Sequence, residues 1–512
     1  MSSAAQKASI ADPSTADQIA ALQAQLSSQQ ATIEAREARI HQLEEIIRTF
    51  QRKTFAGTSE QVSSAQLGLF NEAEEIEASD PPEVAVKPHS RQRRGRPALP
   101  PELPREEVIH DLPEADKVCP HDAAALERIG EETSEQLDII PAQVKVIRHV
   151  RLKYACPCCD GHVATAAKPA QPLGKSMAAP GLLAYIATAK YVDALPLYRQ
   201  TQQFARLGIE FDRTTLANWM IRCGKLVQPL INRLTEQILE APVIGMDETT
   251  VQVLDEPGKP ARSTSYMWVM GAGPPGQRLR VYHYEASRSG DVPVERLEGF
   301  DGALMADGYA GYGAACRDHG ITRLGCWAHA RRKFFDAARL QPKGKTGRPD
   351  QALALIGKLY QIECEAQELD PDARHRLRQD KSQSVIDKLH AWLIKTLPRV
   401  APKTKLGEAL QYLHNQWPAL VRYLDDGRYP IDNNAIENAI RPFAIGRKNW
   451  LFSKSPAGAR ASANLYSLIE TAKGHGIEPY AYLRQVFKEL PLAETVEDID
   501  ALLPQAVKGG GL

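Results

Sequence analysis

Three carboxylates in this 512-residue chain stand where phosphoryl chemistry would need them. Asp247 ends the apolar run Val243-Ile-Gly-Met and is followed by Glu248-Thr249. Asp307 ends Ala303-Leu-Met-Ala and is followed by Gly308-Tyr309. Glu437 lies in Asp432-Asn-Asn-Ala-Ile-Glu-Asn-Ala-Ile-Arg441-Pro442. An acidic residue just past a short apolar strand is held on a rigid element and faces the crevice at the strand end. Cutting and joining DNA is in-line substitution at phosphorus, in which two metal ions about 3.5–4 Å apart activate the attacking oxygen and stabilise the leaving one. Mg²⁺ takes oxygen ligands and is held by a few carboxylates, so three acidic side chains fit Mg²⁺ or Mn²⁺. Plainer readings exist for each. Asp247 can open a turn before Glu248, and Asp307-Gly308 is a common turn pair. Glu437 can complete a capping-box-like pair with Asn434 as N-cap, and it lies one helical turn from Arg441.

The elements that must position them can be read from hydrophobic pattern. Short apolar strands are predicted at Pro242–Met246, Tyr266–Met270, Leu279–Tyr284, Ala303–Ala306 and Ile321–Cys326, with a helix-compatible stretch between the third and fourth. Residues 328–425 read as mostly helical, and a further helical block follows Asp432. Residues 178–240 are also helical. Within them Phe204-Ala-Arg-Leu-Gly208 reads as a helix end, and Asp212 caps Arg213–Trp219. That pair fits a helix-turn-helix with Arg213, Thr214 and Asn218 toward a major groove, or an ordinary helical hairpin.

Upstream, residues 17–52 read as a coiled-coil helix. Ile19, Leu26, Ile33, Ile40 and Ile47 recur every seven residues; Leu22, Leu43 and Phe50 fill three of the d positions, while Gln29 and Arg36 occupy the others. Residues 53–104 read as linker, first acidic, then basic at Arg91, Arg93, Arg94 and Arg96 around Gly95. Arg-Gly-Arg-Pro is similar to the core of an AT-hook, which lies in a narrow A·T minor groove; a solvated basic linker is the plainer reading. Residues 105–165 read as a small β-rich module in which Val144, Val146, Val150, Leu152 and Tyr154 alternate with polar neighbours. Cys119-Pro-His121 precedes Cys156-Pro-Cys158-Cys159, and zinc needs four nitrogen or sulfur ligands. Cys119, His121, Cys156 and Cys159 make the best set, with Cys158 and His162 as spares, unless the module keeps its strands without a metal.

Composition excludes more than it names. Lys and Arg number 63 and Asp and Glu 63, so bulk charge identifies no partner and DNA contact must come from local clusters. No apolar leader opens the chain and no apolar run reaches the length of a membrane span. Eight cysteines in this length are no disulfide framework. A cytoplasmic, nucleoid-associated protein is the simplest expectation.

Several runs, in this order, carry a resemblance: Lys53-Thr-Phe-Ala-Gly-Thr-Ser-Glu60, Gln66-Leu-Gly-Leu-Phe-Asn-Glu-Ala-Glu74, Gln136-Leu-Asp-Ile-Ile-Pro-Ala-Gln-Val144, Lys153-Tyr-Ala-Cys156, Cys326-Trp-Ala-His-Ala-Arg-Arg-Lys-Phe334 and Asp432 to Pro442. With them the chain closely resembles the transposases of the insertion-sequence 66 family, the TnpC-like proteins of DDE type. The resemblance implies a multidomain α/β protein. A ribonuclease-H-like mixed-sheet catalytic core is expected at 241–455, with a helical insertion at about 328–425 and a C-terminal helical segment at 456–512. It implies that Asp247, Asp307 and Glu437 hold two Mg²⁺ or Mn²⁺ ions, that element ends and target DNA are bound, and that the coiled coil pairs subunits. Partner proteins of the same element are a further expectation. Cys326 and His329 resemble an active-site support; plain packing and a second metal site are the other readings. Arg331, Arg332, Arg441, Arg447 and Lys448 suit phosphate oxygens. The family pattern departs at Cys119-Pro-His121-Asp122, which puts the zinc in question rather than the module. Rival readings are a catalytically silent DNA-binding regulator, a nuclease without strand transfer, and a zinc-bearing adaptor.

Overall fold

In the computed structural model the described residues are 23–33, 105–109, 143–155, 163–341 and 346–507, with a few single positions besides. Arg93, Arg94, Arg96, Cys119, His121, Cys156 and Cys159 lie outside them, as does most of the heptad segment. Residues 23–33 are helical, and Leu26 and Ile33 on this helix are exposed.

The chain divides into two units, residues 71–165 and the remainder. In the smaller unit, β1 (Lys153–Ala155) pairs antiparallel with β2 (Val163–Thr165), Ala155 opposite Val163, so a hairpin brackets residues 156–162. The alternation from Val144 predicts a longer strand, but among the described residues only its end enters a ladder. Val144, Val146, Val150 and Leu152 are exposed. Alternation makes a strand only where one face finds an apolar surface to cover.

From residue 166 the larger unit resumes with four helices: α1 (Pro180–Tyr191), α2 (Leu197–Arg206), α3 (Arg213–Leu226) and α4 (Gln228–Leu239). Asp212 caps α3, its carboxylate accepting the Thr214 N–H at 3.1 Å, and Gly208, with φ +78°, supplies the left-handed residue that closes α2. Helix α3 continues past Trp219 to Leu226 because Met220 and Cys223 extend its buried stripe. Arg213, Thr214 and Asn218 lie on its exposed side.

A five-stranded sheet follows, built from β3 (Val243–Gln252), β4 (Thr264–Ala272), β5 (Leu279–Glu285), β6 (Ala303–Ala306) and β7 (Thr322–Gly325), with α5 (Asp291–Arg296) before β6 and α6 (Tyr312–Asp318) before β7. The order across the sheet is β5-β4-β3-β6-β7. The β3–β4 and β4–β5 pairs are antiparallel, and the β3–β6 and β6–β7 pairs are parallel. Strand β3 does not end at Met246 as its apolar run predicts. It pairs with β4 through Gln252 opposite Thr264, so the polar Asp-Glu-Thr-Thr stretch is held by its partner's hydrogen bonds.

After β7 come α7 (Trp327–Ala338), α8 (Arg348–Glu365), α9 (Pro371–Leu377), α10 (Gln383–Thr396) and α11 (Lys405–Leu420). They enclose their own core around Trp327, Phe334, Leu359, Leu389 and Leu413. Arg378 is buried among them. Its guanidinium pairs with Glu363 at 2.7 and 2.9 Å and donates to the Tyr423 and Asp426 carbonyls.

The chain then returns to the sheet through α12 (Asn434–Trp450), α13 (Pro456–Gly474), α14 (Pro479–Glu489) and α15 (Val496–Asp500). Helix α13 is buried over most of its length and covers the edge strand β5. The Ser467 hydroxyl accepts the Tyr282 N–H at 2.8 Å and the Thr471 hydroxyl accepts the Arg280 N–H at 3.0 Å. Side-chain hydroxyls thus occupy edge groups that would otherwise pair with another chain.

Candidate active site

Asp247 and Asp307 come together through strand register. Gly245 and Met305 are partners in the parallel β3–β6 pair. Two residues further along from each stand Asp247 and Asp307, and a step of two keeps both on the same face. Asp247 lies within β3, opposite Val269 of β4, rather than at a strand end; Asp307 follows the last residue of β6.

Glu437 comes close enough for its charge to act on Asp247 because two glycines leave room. Gly245 and Gly271 are cross-strand partners, and Ile436 of α12 fills the hollow above them. A Cβ on Gly245 would stand 2.5 Å from Ile436 Cγ1, and one on Gly271 2.9 Å from Ile436 Cδ1. The residue before the helix ties it to the strand: Asn433 Nδ2 donates to the Met246 carbonyl at 3.0 Å. The N-cap is therefore Asn433, not Asn434, and its side chain serves β3 instead of capping. Asp432 takes the Asn434 N–H at 3.1 Å. No capping box forms with Glu437. Its carboxylate, buried in the first turn, meets Arg332 Nη2 at 3.4 Å and lies 3.3 Å from His329 Nδ1.

The electrostatics are those of crowded anions. Desolvation, then the charges of Glu248, Asp307 and Glu437, hold the Asp247 carboxyl well above the usual carboxylate range; the Glu248 N–H, donated to Asp247 at 2.8 Å, opposes this in part. Burial also raises Glu248, but Tyr312 donates its hydroxyl to that carboxylate at 2.7 Å and Arg288 Nε donates at 2.6 Å. Asp307 accepts the Tyr309 N–H at 2.9 Å, the local turn expected of Asp-Gly, so the turn and the site reading hold together. At Asp247 and Asp307 the hydrogen bonds come from backbone N–H groups, and the charges that dominate at Asp247 are negative. Oxygen donors in a net negative field suit a hard divalent cation.

The predicted cations are placed unevenly. Arg332 reaches Glu437, and Arg331 is exposed beside it on α7. Arg441 is half-buried and Lys448 exposed on α12. Arg447 is turned inward: it donates to the Thr249 and Thr250 hydroxyls at 3.2 and 2.9 Å, and burial lowers its pKa. It braces β3 just past Asp247 instead of presenting a guanidinium to solvent. Arg213 opens α3, exposed.

Sequence reasoning missed Asn433 and the Glu248–Arg288–Tyr312 set, whose partners are up to 64 residues apart. It also left Cys326 and His329 open. Cys326 Sγ accepts the Asn433 N–H at 3.3 Å, and burial pushes the thiol up. Donor atoms of Cys326, His329 and Glu437 lie within 4.8 Å of one another.

The family model described as "Transposase IS66 family" matches residues 175–461. A "zinc-finger binding domain of transposase IS66" matches 116–160, a span that holds Cys119, His121, Cys156 and Cys159. "Transposase C of IS166 homeodomain" matches 42–108, and "IS66 C-terminal element" matches 467–505. Among relatives, the uncharacterized protein y4qI of Sinorhizobium fredii is 34% identical over 519 residues, covering 95% of this chain and 92% of its own length. The uncharacterized protein y4jD of the same organism is 36% identical over 423 residues, covering 79% of this chain and 81% of its own. No solved structure matches. No helix among the described residues is long and apolar enough to cross a membrane. With more than half its length matched by one family model and a relative aligned along nearly all of it, the chain belongs to the IS66 family of transposases.

Proposed function

We propose that the chain is a DDE-type DNA transposase that cuts at the ends of its insertion sequence and joins the freed 3′-OH to target DNA. The observation that carries this is the convergence of Asp247 and Asp307, in register on neighbouring parallel strands, with Glu437, set on the sheet by a glycine hollow. The sheet order supports a ribonuclease-H-like core: numbered along the chain it runs third, second, first, fourth, fifth, and only the second strand opposes the rest.

Asp247, Asp307 and Glu437 would hold two Mg²⁺ or Mn²⁺ ions, which when bound activate the attacking oxygen and stabilise the leaving one. The chain's own residues do the positioning. Strands β3 and β6 fix the two aspartates, Arg332 holds one oxygen of Glu437, and Arg288 with Tyr312 keeps Glu248 occupied beside Asp247. Arg331 and Lys448, exposed on helices that border the site, contact the DNA backbone. No serine or tyrosine nucleophile is required, because water and then the 3′-OH attack phosphorus directly. Cys119, His121, Cys156 and Cys159 hold zinc in the module at 105–165. That module, the basic segment with Arg93, Arg94 and Arg96, and the α2–α3 pair bearing Arg213 bind the element ends. The helix at 17–52 pairs two subunits so that two ends are held together.

The test is a strand-transfer assay with labelled DNA from the flanks of the gene, a target plasmid, and Mg²⁺ or Mn²⁺. Wild type is expected to give metal-dependent joined product, while Asp307→Asn binds ends in a gel shift and neither cuts nor joins. Equal loss of binding and cutting in the variant argues against a metal-ligand role. End binding by wild type with neither nicking nor joining, after accessory proteins are added, favours a silent regulator. Deleting residues 1–52 is expected to lower the mass in light scattering; an unchanged mass sinks the pairing helix.

A further inference from the structure

The helical insertion leaves the sheet at Cys326, the N-cap of α7, and the chain comes back at Asn433, the N-cap of α12. We infer that Cys326, His329 and Glu437 form a second metal centre, of mixed sulfur, nitrogen and oxygen donors, that takes a zinc-class divalent ion and clips the two ends of the insertion together. The inference shares Glu437 with the proposed triad and deepens that reading.

Donor spacing fits. A tetrahedral zinc site with sulfur at about 2.3 Å and nitrogen or oxygen at about 2.0–2.2 Å sets neighbouring donors about 3.3–3.8 Å apart. His329 Nδ1 and Glu437 Oε1 already stand at 3.3 Å. All three donors lie within 4.8 Å, so the remaining approach is at most about 1.5 Å, within reach of side-chain rotation.

The orphaned atoms point the same way. His329 Nδ1 and Glu437 Oε1 are buried and neither makes a hydrogen bond: they are near each other but misaligned for one. The Glu437 side chain is 8% exposed. Burying a nitrogen and a carboxylate oxygen unsatisfied is costly, and an ion between them satisfies both. The sulfur is prepared as a ligand too. It accepts the Asn433 N–H at 3.3 Å and sits at a helix N-cap, where the dipole favours negative charge.

The donor set selects the ion. Thiolate and imidazole favour zinc and its neighbours over Mg²⁺, which requires oxygen. On binding, a sulfur–metal bond forms and the thiol proton passes to solvent, while His329 binds as the neutral imidazole. Three protein ligands leave a fourth position for water. Glu437 Oε1 is then taken by this ion, while Oε2, beside Arg332, is the oxygen left to the ions of the proposed triad.

The experiment uses the full chain and reads metal content, not activity. Wild type, Cys326→Ser and His329→Gln are loaded with Zn²⁺, dialysed and assayed for bound zinc. Because the candidate finger cysteines bind as well, the difference between proteins is the signal. Each variant is expected to carry one zinc fewer per chain than wild type. After Co²⁺ loading, the Cys326→Ser protein is expected to lose part of the thiolate-to-cobalt absorption. The partly exposed His329 position keeps the test alive if Cys326→Ser folds poorly, with circular dichroism as the check. Asp307→Asn is expected to keep the full zinc count, so the centre stands or falls apart from transposition. Equal zinc in wild type and in a folded His329→Gln protein overturns the proposal and leaves an ion pair only.

Discussion

Gly245→Ala tests whether the glycine hollow is what brings Glu437 to the aspartates. The added Cβ would stand 2.5 Å from Ile436 Cγ1 and 3.1 Å from Asn433 Oδ1. Carbon atoms pack at about 3.5–4.0 Å, so α12 must back away from β3 by about 1 Å. Both contacts lie at the N-terminus of α12, one residue and four residues before Glu437, so the displacement falls on that carboxylate. Overpacking of this size costs about 1–3 kcal/mol, which a unit of this size tolerates, whereas a misplacement of about 1 Å in a catalytic constellation costs about 10²-fold in rate. The expected result is a folded protein with a modestly lower Tm and a nicking rate on labelled end DNA down about 100-fold. Ile436→Ala in the same chain removes both crowding carbons. Alone it opens a cavity worth about 2–5 kcal/mol, but combined with Gly245→Ala it makes room for the new methyl group, so the double variant recovers much of the rate and the cycle shows strong coupling. A Gly245→Ala protein that nicks at the wild-type rate refutes the reasoning. So does a double variant no faster than Gly245→Ala.

Other expectations follow from buried charge and from the sheet edge. The folded-state pKa of Asp247 is raised above its unfolded value, near 3.9; the native state therefore holds its proton more tightly. That stability is fully present below the unfolded pKa and is lost as pH rises through the folded pKa. In EDTA at neutral pH, Asp247→Asn should melt above wild type, the advantage vanishing toward about pH 4; a variant that melts lower at neutral pH contradicts the crowding. Arg378→Met should cost about 3–5 kcal/mol by leaving Glu363 unpaired, measured by denaturant unfolding, and adding Glu363→Gln should return part of it. Ser467→Ala should cost about 1–3 kcal/mol by orphaning the Tyr282 N–H, with faster amide exchange at Tyr282; unchanged exchange there would show that water replaces the hydroxyl.

The strands around the site were legible wherever burial is continuous. Ala303–Ala306 is found at its predicted bounds because all four residues are buried and the run is unmistakable. β3 was cut short because its second half is polar, and its pairing with β4 is a property of the partner strand. The motif around Glu437 says nothing of the side chains that surround it. The Arg332–Glu437 pair spans 105 residues and the Tyr312–Glu248 bond 64, separations at which local pattern carries no information. Asn434 was the better cap by helix rules; Asn433 takes the position because its amide is needed by the Met246 carbonyl. The alternation from Val144 misled because, among the described residues, its apolar positions find no cover and stay exposed.

The placement of the insertion has a consequence for the chain while it is being made. Glu437 follows Asp307 by 437 − 307 = 130 residues. At roughly 5–20 residues per second a ribosome needs about 7–26 s to cover that distance. Throughout that interval a nascent chain carries both aspartates and lacks the third carboxylate of the proposed triad. Even afterwards, Glu437 meets its partners only once α7 and α12 have docked, since Arg332 and His329 belong to the first helix of the insertion and Glu437 to the helix after it. On the proposed reading, an unfinished chain, or one whose helical insertion has not folded, has no complete triad with which to cut the DNA that encodes it.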